Sequence, residues 1–319
     1  MFSVFSAVKL LILTRSRPGP TIFALCAIAV ASAHVGAQAT PQPISPWADD
    51  SSRVEWLRKN GPSLAGRHVL VWAPNDSLSD AALRGLVDTL DIGVGALRSL
   101  MRAPLPWQRI QNRPVVFYLG PGRFISHGSG TGAVFISVSR VRDRMAPLLH
   151  EASHELLVPE PPFYQEEYAD SAEGRRAEEQ LPIWLVEGLP DVLAQKIAAE
   201  TGVHEGDVFS IGGLARVDST CAARIKSSPR GAEILASVGR SVYLAALMTT
   251  DRPQVAPVFY ACSQSLTKHL VDQMGVANVI ALFPAMKARN WEQRVQEFSG
   301  RSVETLRSEW AKRLGVSSP

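Results

Sequence analysis

The sequence lacks a marked excess of charge of either sign. Its 33 Lys and Arg residues stand against 30 Asp and Glu residues, which gives a formal charge of +3. Lys9, Arg15 and Arg17 lie in the first 39 residues, where no acidic residue occurs, so that 30 basic and 30 acidic residues remain in the rest of the chain. No basic stripe with interleaved aromatic residues is present. These absences argue against nucleic acid as a partner.

A phosphate-binding loop is also missing. The glycine-rich stretch GPGRFISHGSGTG, residues 120–132, does not end in Gly-Lys-Ser/Thr. A predicted strand, and not a helix, follows it, so no helix N-terminus is available for a phosphate. We therefore expect a flexible loop here, with His127 as a surface histidine and not a ligand.

The first 39 residues have the layout of an export signal. A basic region up to Arg17 precedes the apolar run TIFALCAIAVASA and the small-residue site Ala37-Gln38-Ala39. We expect cleavage after Ala39 and an exported (periplasmic or secreted) mature chain. A membrane anchor is the alternative, but the apolar run has 13 residues, fewer than the ~20 that span a bilayer. No stable membrane span is expected after signal removal.

Cysteine is scarce, with three residues in 319. Cys26 lies in the apolar run of the signal, so Cys221 and Cys262 are the two that reach an oxidising compartment, where cysteines usually pair. We expect a disulfide between them. Two buried, unreactive thiols are the alternative.

The remaining pattern predicts an α+β fold. Residues 40–66 read as an exposed leader rich in Pro, Ser and Asp. Residues 67–157 contain a strand from Arg67, a helix capped by Ser79, a strand from Arg113, a strand over 133–139 and a helix over 143–157. Residues 158–315 are predicted to be helical, beginning with a polar loop and a helix from Pro182. We therefore expect an α/β lobe followed by a helical lobe.

The segment LLHEASHELL, Leu148 to Leu157, carries the clearest chemical signal. On a helix, His150 and His154 lie on one face with Cβ atoms ~5 to 6 Å apart, so both imidazoles can bind one zinc ion. Glu151 lies beside that face and can act as a general base on a water without itself binding the metal. The alternative is a core helix with hydrogen-bonded histidines and an ion-paired Glu151, which would bury three polar groups at a high cost.

A third protein ligand is required for a catalytic zinc site. Glu187, 33 residues after His154 in the apolar segment LPIWLVEGLPDVLAQ, is the preferred candidate. Asp191 lies one turn later and can accept the free ring N–H of His150, although an ordinary helix-surface acid remains equally plausible. The competing carboxylates lie in the polar loop, where solvated acids are the norm: Glu160, Glu166, Glu167 and Asp170.

These two segments together resemble the gluzincin metallopeptidases, in particular the bacterial peptidase-MA-like group with its His-Glu-x-x-His and Trp-x-x-Glu-Gly motifs. The C-terminal part is also similar, with Tyr260 opening a helix that ends at Gly275 and SVETLRSEW before the last helix. The resemblance covers about Arg67 to Leu314. It implies a two-lobed zincin-like fold with the zinc-binding helix between the lobes.

The resemblance also implies roles for individual residues. Zinc would be held by His150, His154 and Glu187, with Glu151 as the general base. The strand over 133–139 would form a sheet edge for an extended peptide. Pro190 departs from the family pattern, and a kink there would affect the reach of the third ligand.

Tyr260 is a candidate to stabilise the oxyanion, with a Tyr packed in the helical core as the alternative. The expected function is an exported zinc-dependent peptidase that acts on a peptide or protein substrate. A non-catalytic peptide- or envelope-binding module on the same scaffold, and a hydrolase with another substrate, are the competing hypotheses.

Overall fold

The computed structural model describes residues 49–105, 113–157, 182–240, 244–286 and 290–316. The predicted signal peptide, residues 40–48 of the predicted leader and the polar loop with its four competing carboxylates lie outside these ranges. The described part is an α+β fold in which helices predominate, as expected.

Five short strands form one mixed sheet with the order β1-β2-β3-β5-β4. The strands β2, β3 and β5 are parallel, and the two outer strands run antiparallel to their neighbours. Their central positions carry Val, Phe, Leu and Ile, which favour strands. The strands are β1 (Ser63–Ala65), β2 (Val69–Trp72), β3 (Val115–Gly120), β4 (His127–Gly128) and β5 (Ala133–Ser137).

Two helices accompany the first strands. Helix α1 (Asp50–Asn60) precedes the sheet, and helix α2 (Asp80–Arg102) connects β2 to β3. The predicted cap of α2 is present, because Ser79 Oγ accepts the N–H of Ala82 at 3.2 Å. Helix α2 packs closely on the helix that carries His150 and His154, since a Cβ at Gly93 would come 2.6 Å from a methyl group of Leu149.

Helices make up the rest of the described chain. They are α3 (Val138–Arg142), α4 (Leu148–Leu157), α5 (Ile183–Thr201), α6 (Val217–Ser227), α7 (Gly231–Ser237), α8 (Leu244–Met274), α9 (Val276–Ala285), α10 (Trp291–Ser299) and α11 (Val303–Leu314). A disulfide between Cys221 and Cys262 joins α6 to α8, which confirms the predicted pair. Buried apolar side chains from the sheet to the last helix form one continuous core.

The expected exposed leader is wrong from Asp50 onward. Helix α1 buries Arg53 and Leu57, and β1 joins the sheet. The guanidinium of Arg53 lies 4.1 Å from the ring centre of Phe124, so a charged residue supplies part of the packing surface. A helix whose buried face includes an arginine shows no apolar periodicity in the sequence.

Two further element boundaries differ from the prediction. The helix expected from Asp143 begins at Leu148, because Arg144 adopts a positive φ of 57° and Pro147 disfavours helical backbone before it. The helix expected to open at Tyr260 begins at Leu244 and continues through two prolines. No helix in the described ranges combines the length and apolarity required to cross a bilayer.

Strand β5 is not the sheet edge that the family resemblance implies. The short strand β4 pairs with it, matching His127 to Phe135 and Gly128 to Val134. The glycine-rich segment therefore contributes the outer strand at this side of the sheet. A two-residue strand is too short to show an alternating pattern, which explains why the sequence did not reveal it.

Candidate metal centre

Helix α4 presents two histidine side chains one turn apart on the same face. The Nε2 atoms of His150 and His154 are 3.1 Å apart, and the ring centres are separated by 4.7 Å. The opposite face packs into the core through Leu149, Ala152 and Leu156. Core packing therefore fixes the direction in which the two imidazoles project.

Glu187 reaches the two histidines from helix α5. Its Oε2 lies 3.7 Å from Nε2 of His150 and 3.8 Å from Nε2 of His154. Tetrahedral ligands ~2.1 Å from zinc are ~3.4 Å apart, so the spacing of the three atoms fits one ion. Oε2 of Glu187 is buried and has no hydrogen-bond partner in the described part of the chain. A cation held by the three side chains would offset the cost of burying that charge.

The position of Glu187 depends on close packing between α5 and α8. A Cβ at Gly188 would lie 2.3 Å from Thr267 Oγ1 and 2.7 Å from the Ser263 carbonyl oxygen, so glycine permits this approach. Pro190 lies inside α5. Despite the kink that a proline can cause, Glu187 faces both histidines.

Asp191 holds one imidazole in place. Its Oδ1 accepts a hydrogen bond from Nδ1 of His150 at 2.7 Å, which leaves Nε2 free for a metal. Burial acts to lower the pKa of His150, but Asp191 and the neighbouring glutamates raise it well above its ordinary value. Burial and the charge of His150 lower the pKa of His154 to about 4. Binding of a metal ion by Nε2 of His150 would require that nitrogen to be deprotonated.

Glu151 lies beside the three-residue cluster without belonging to it. Its carboxylate is buried, and Oε2 has no hydrogen-bond partner among the residues described. Burial raises the pKa of Glu151 to about 7, with the charge of His150 opposing the rise. Glu151 lines a cleft of about 360 Å³ together with His150 and Glu187. An acid so placed can exchange a proton with a molecule in the cleft.

Tyr260 lines the same cleft from helix α8. Its ring is buried and stacks on Phe209, with ring centres 4.5 Å apart. Burial raises the pKa of Tyr260 well above its ordinary value, so the hydroxyl stays neutral. The structure thus places Tyr260 both in the core and at the cleft, and its role as a hydrogen-bond donor to substrate stays a prediction.

Glu205 is a buried residue that the sequence analysis missed. Its carboxylate accepts the backbone N–H groups of Leu149 at 2.7 Å and of His150 at 3.0 Å. It therefore caps the N-terminus of α4. Burial raises the pKa of Glu205 to about 8 against the lowering effect of these two bonds. The capping residue is 55 positions away from His150 in the chain, so no local signal marks it.

Glu155, next to His154, was missed as well. It is buried and accepts the N–H groups of Gly130 and Gly132 from the glycine-rich segment. A Cβ at Gly128 would come 2.3 Å from its Oε1. Glu155 therefore fastens the segment that carries β4 to the C-terminal half of α4. Its position directly after His154 was the feature of the sequence that could have identified it.

The prediction of a surface histidine at 127 is wrong. His127 is buried, with Nε2 3.0 Å from Oδ1 of Asp50 and Nδ1 3.0 Å from the carbonyl oxygen of Ile125. Both ring nitrogens thus face acceptors. Burial acts to lower the pKa of His127, but the bonds to Asp50 and Ile125 raise it. The imidazole ties β4 to helix α1, which the leader prediction left out of the fold.

Comparison of the chain with protein-family models, with curated proteins and with solved structures gives no match.

Proposed function

We propose that this chain is a zinc-dependent peptidase of gluzincin type, exported from the cell. One observation carries the proposal: His150, His154 and Glu187 converge from two helices, and the buried Oε2 of Glu187 has no hydrogen-bond partner in the described ranges. Two neutral imidazole nitrogens and a carboxylate oxygen form a donor set typical of catalytic zinc. The two-lobed zincin-like arrangement is part of the proposal.

The residues around the cluster have separate roles in the proposed reaction. When bound, zinc would supply Lewis acidity toward a peptide carbonyl and a water. Glu151 takes a proton from the attacking water and returns it to the departing amine. Asp191 keeps His150 in the tautomer that exposes Nε2. Tyr260 offers a neutral O–H in the cleft to the oxygen on which negative charge develops.

A purely structural metal site has no use for an acid such as Glu151. Its buried position beside the ligand cluster, with one oxygen that accepts no hydrogen bond from the described residues, is the arrangement expected of a proton-transfer group. This observation favours an enzyme over a binding module built on the same scaffold.

The test compares wild type with Glu151→Gln in a chain that begins at Thr40. Both proteins are loaded with zinc, and cleavage of a broad fluorogenic peptide library is measured with and without a chelator. We expect chelator-sensitive cleavage by the wild type. For Glu151→Gln we expect one bound zinc and a rate reduced ~10²- to 10⁴-fold, the usual contribution of general acid–base catalysis.

Glu292→Gln is the matched control, because Glu292 is an exposed helix-surface acid. It should cleave as the wild type does. Normal proteolysis by Glu151→Gln would contradict the proposed mechanism, and a zinc-loaded wild type that cleaves no peptide would contradict the proposed activity.

A further inference from the structure

Three arginines line the same cleft as the candidate metal centre. Arg140 comes from α3, directly after strand β5, and Arg252 comes from α8, two turns before Tyr260. Arg123 lies in the glycine-rich segment. The three side chains come from separate parts of the fold and meet at one cavity, which is the arrangement of a binding surface.

None of the three guanidinium groups has an ion-pair partner within 4.0 Å in the part of the chain that the structure describes. Other arginines do have carboxylate partners, for example Arg230 with Glu233 at 2.7 Å. The positive charge in the cleft is therefore available to a ligand.

Arg140 is held in a defined orientation. It is half-buried, and Nη1 donates to Oγ of the buried Ser126 at 2.7 Å. Its remaining donors have no protein acceptor among the residues described. A guanidinium fixed at one nitrogen keeps its other N–H groups for a planar, two-oxygen acceptor.

No carboxylate that lines the cleft lies within 4.0 Å of these guanidinium groups in the described ranges, although the charges of Glu151 and Arg140 attract each other at longer range. Glu151, Glu187 and Asp191 belong to the metal centre. Asp207 accepts the N–H groups of Ile211 and Gly212, both at 2.7 Å. Asp143 also lines the cleft and makes no ion pair within the described ranges.

We infer that the cleft selects peptides that present a carboxylate beside the scissile bond, bound by Arg140 and Arg252 with Arg123 at the rim. This inference rests on the proposed peptidase function and names its substrate class. The carboxylate belongs to an acidic side chain or to the C-terminus of the peptide, and both sources have the same chemistry. Charge-assisted bonds of this kind favour an acidic ligand over its neutral amide by about 10- to 100-fold.

The experiment uses a fluorogenic peptide set in which one position at a time carries Glu, Gln or Lys. Each peptide is made with a free and with an amidated C-terminus. For wild type we expect kcat/KM for the best Glu peptide, or for the free-acid form, to exceed that of its neutral counterpart by at least ~10-fold. The Glu series and the amidated series separate the two sources of the carboxylate.

The double variant Arg140→Gln/Arg252→Gln should bring this ratio close to one. Arg84→Gln, at an exposed position of α2, is the control and should keep the wild-type ratio. A wild type that cleaves Glu and Gln peptides equally, with free or amidated ends, would overturn the inference but not the proposed function. An unchanged preference in the double variant would do the same.

A binding measurement separates the inference from catalysis. Calorimetric titration of zinc-loaded Glu151→Gln with the Glu peptide and with the Gln peptide should give dissociation constants that differ by at least ~10-fold. The difference should disappear when Arg140→Gln and Arg252→Gln are added. This arm answers the question even if the wild type cleaves nothing, and equal binding of the two peptides would overturn the inference.

Discussion

Two groups of buried glutamates on and around helix α4 differ in how their charge is satisfied. Glu205 and Glu155 each accept two backbone N–H groups. Glu151 and Glu187 each bury a carboxylate oxygen that has no hydrogen-bond partner among the described residues. All four side chains are buried, so burial alone does not distinguish them.

The difference separates structural acids from functional ones. A buried carboxylate that is fully hydrogen-bonded stabilises the backbone around it, whereas one with a free oxygen costs stability unless a ligand compensates it. Proteins keep a destabilising group of this kind mainly at functional sites. The contrast therefore assigns Glu205 and Glu155 to the framework and Glu151 and Glu187 to the proposed chemistry.

The largest expected effect is on metal binding by Glu187→Gln. We expect its zinc affinity to fall on the order of 10³-fold, about 4 kcal/mol, because one of three protein ligands is lost. The metal-free variant should unfold within ~1 kcal/mol of the metal-free wild type, since Oε2 of Glu187 has no hydrogen-bond partner among the described residues. Competition with a chelator and urea unfolding in EDTA measure the two quantities.

Glu205→Gln is the same chemical change in the other group and should behave in the opposite way. The amide can no longer accept both N–H groups at the start of α4, so we expect a loss of about 2 to 3 kcal/mol in the free energy of unfolding without metal. Urea unfolding in EDTA checks this. Equal destabilisation by Glu205→Gln and Glu187→Gln would remove the distinction between the two groups.

A smaller effect is expected for Asp191→Asn. The variant keeps all three proposed ligands but weakens the bond that orients His150, so zinc affinity should fall about 10- to 100-fold. A chelator competition series measures it beside Glu187→Gln. An affinity equal to that of wild type would show that Asp191 is an ordinary surface acid.

The smallest effect concerns His127, whose charge is satisfied by Asp50. Because folding raises the pKa of His127, its charged form stabilises the fold below the unfolded pKa of about 6.5, and this contribution is lost as the pH rises through the folded pKa. We expect less than ~1 kcal/mol, because Asp50 is partly exposed. In unfolding of metal-free wild type, His127→Gln and Asp50→Asn from pH 5.5 to 9, this contribution should appear as a pH-dependent difference between wild type and each variant.

Much of the fold follows from local patterns in the sequence. The alternation or apolar runs of β2, β3 and β5, the Ser79 cap of α2 and the periodicity of α4 and α5 all predicted elements that the structure contains. Helix α1 escaped prediction because its buried surface includes Arg53, and β4 because two residues carry no pattern. Both depend on contacts with distant parts of the chain.

The candidate site was likewise predicted in part, where local sequence patterns determine it. The i, i+4 spacing of His150 and His154 brings them together by helix geometry alone, and Glu187 stood out as an acid within an apolar segment. Glu205 and Glu155 were missed because their partners are backbone N–H groups, which any residue supplies. The cluster of cleft arginines was not predicted either, because its members come from three separate segments of the chain.

The most direct test of the account is the amount of zinc bound per chain after zinc loading and gel filtration, measured for wild type and for Glu187→Ala. We expect one zinc per wild-type chain and none retained by the variant. A wild type without zinc, or a variant that retains one zinc per chain, would contradict it.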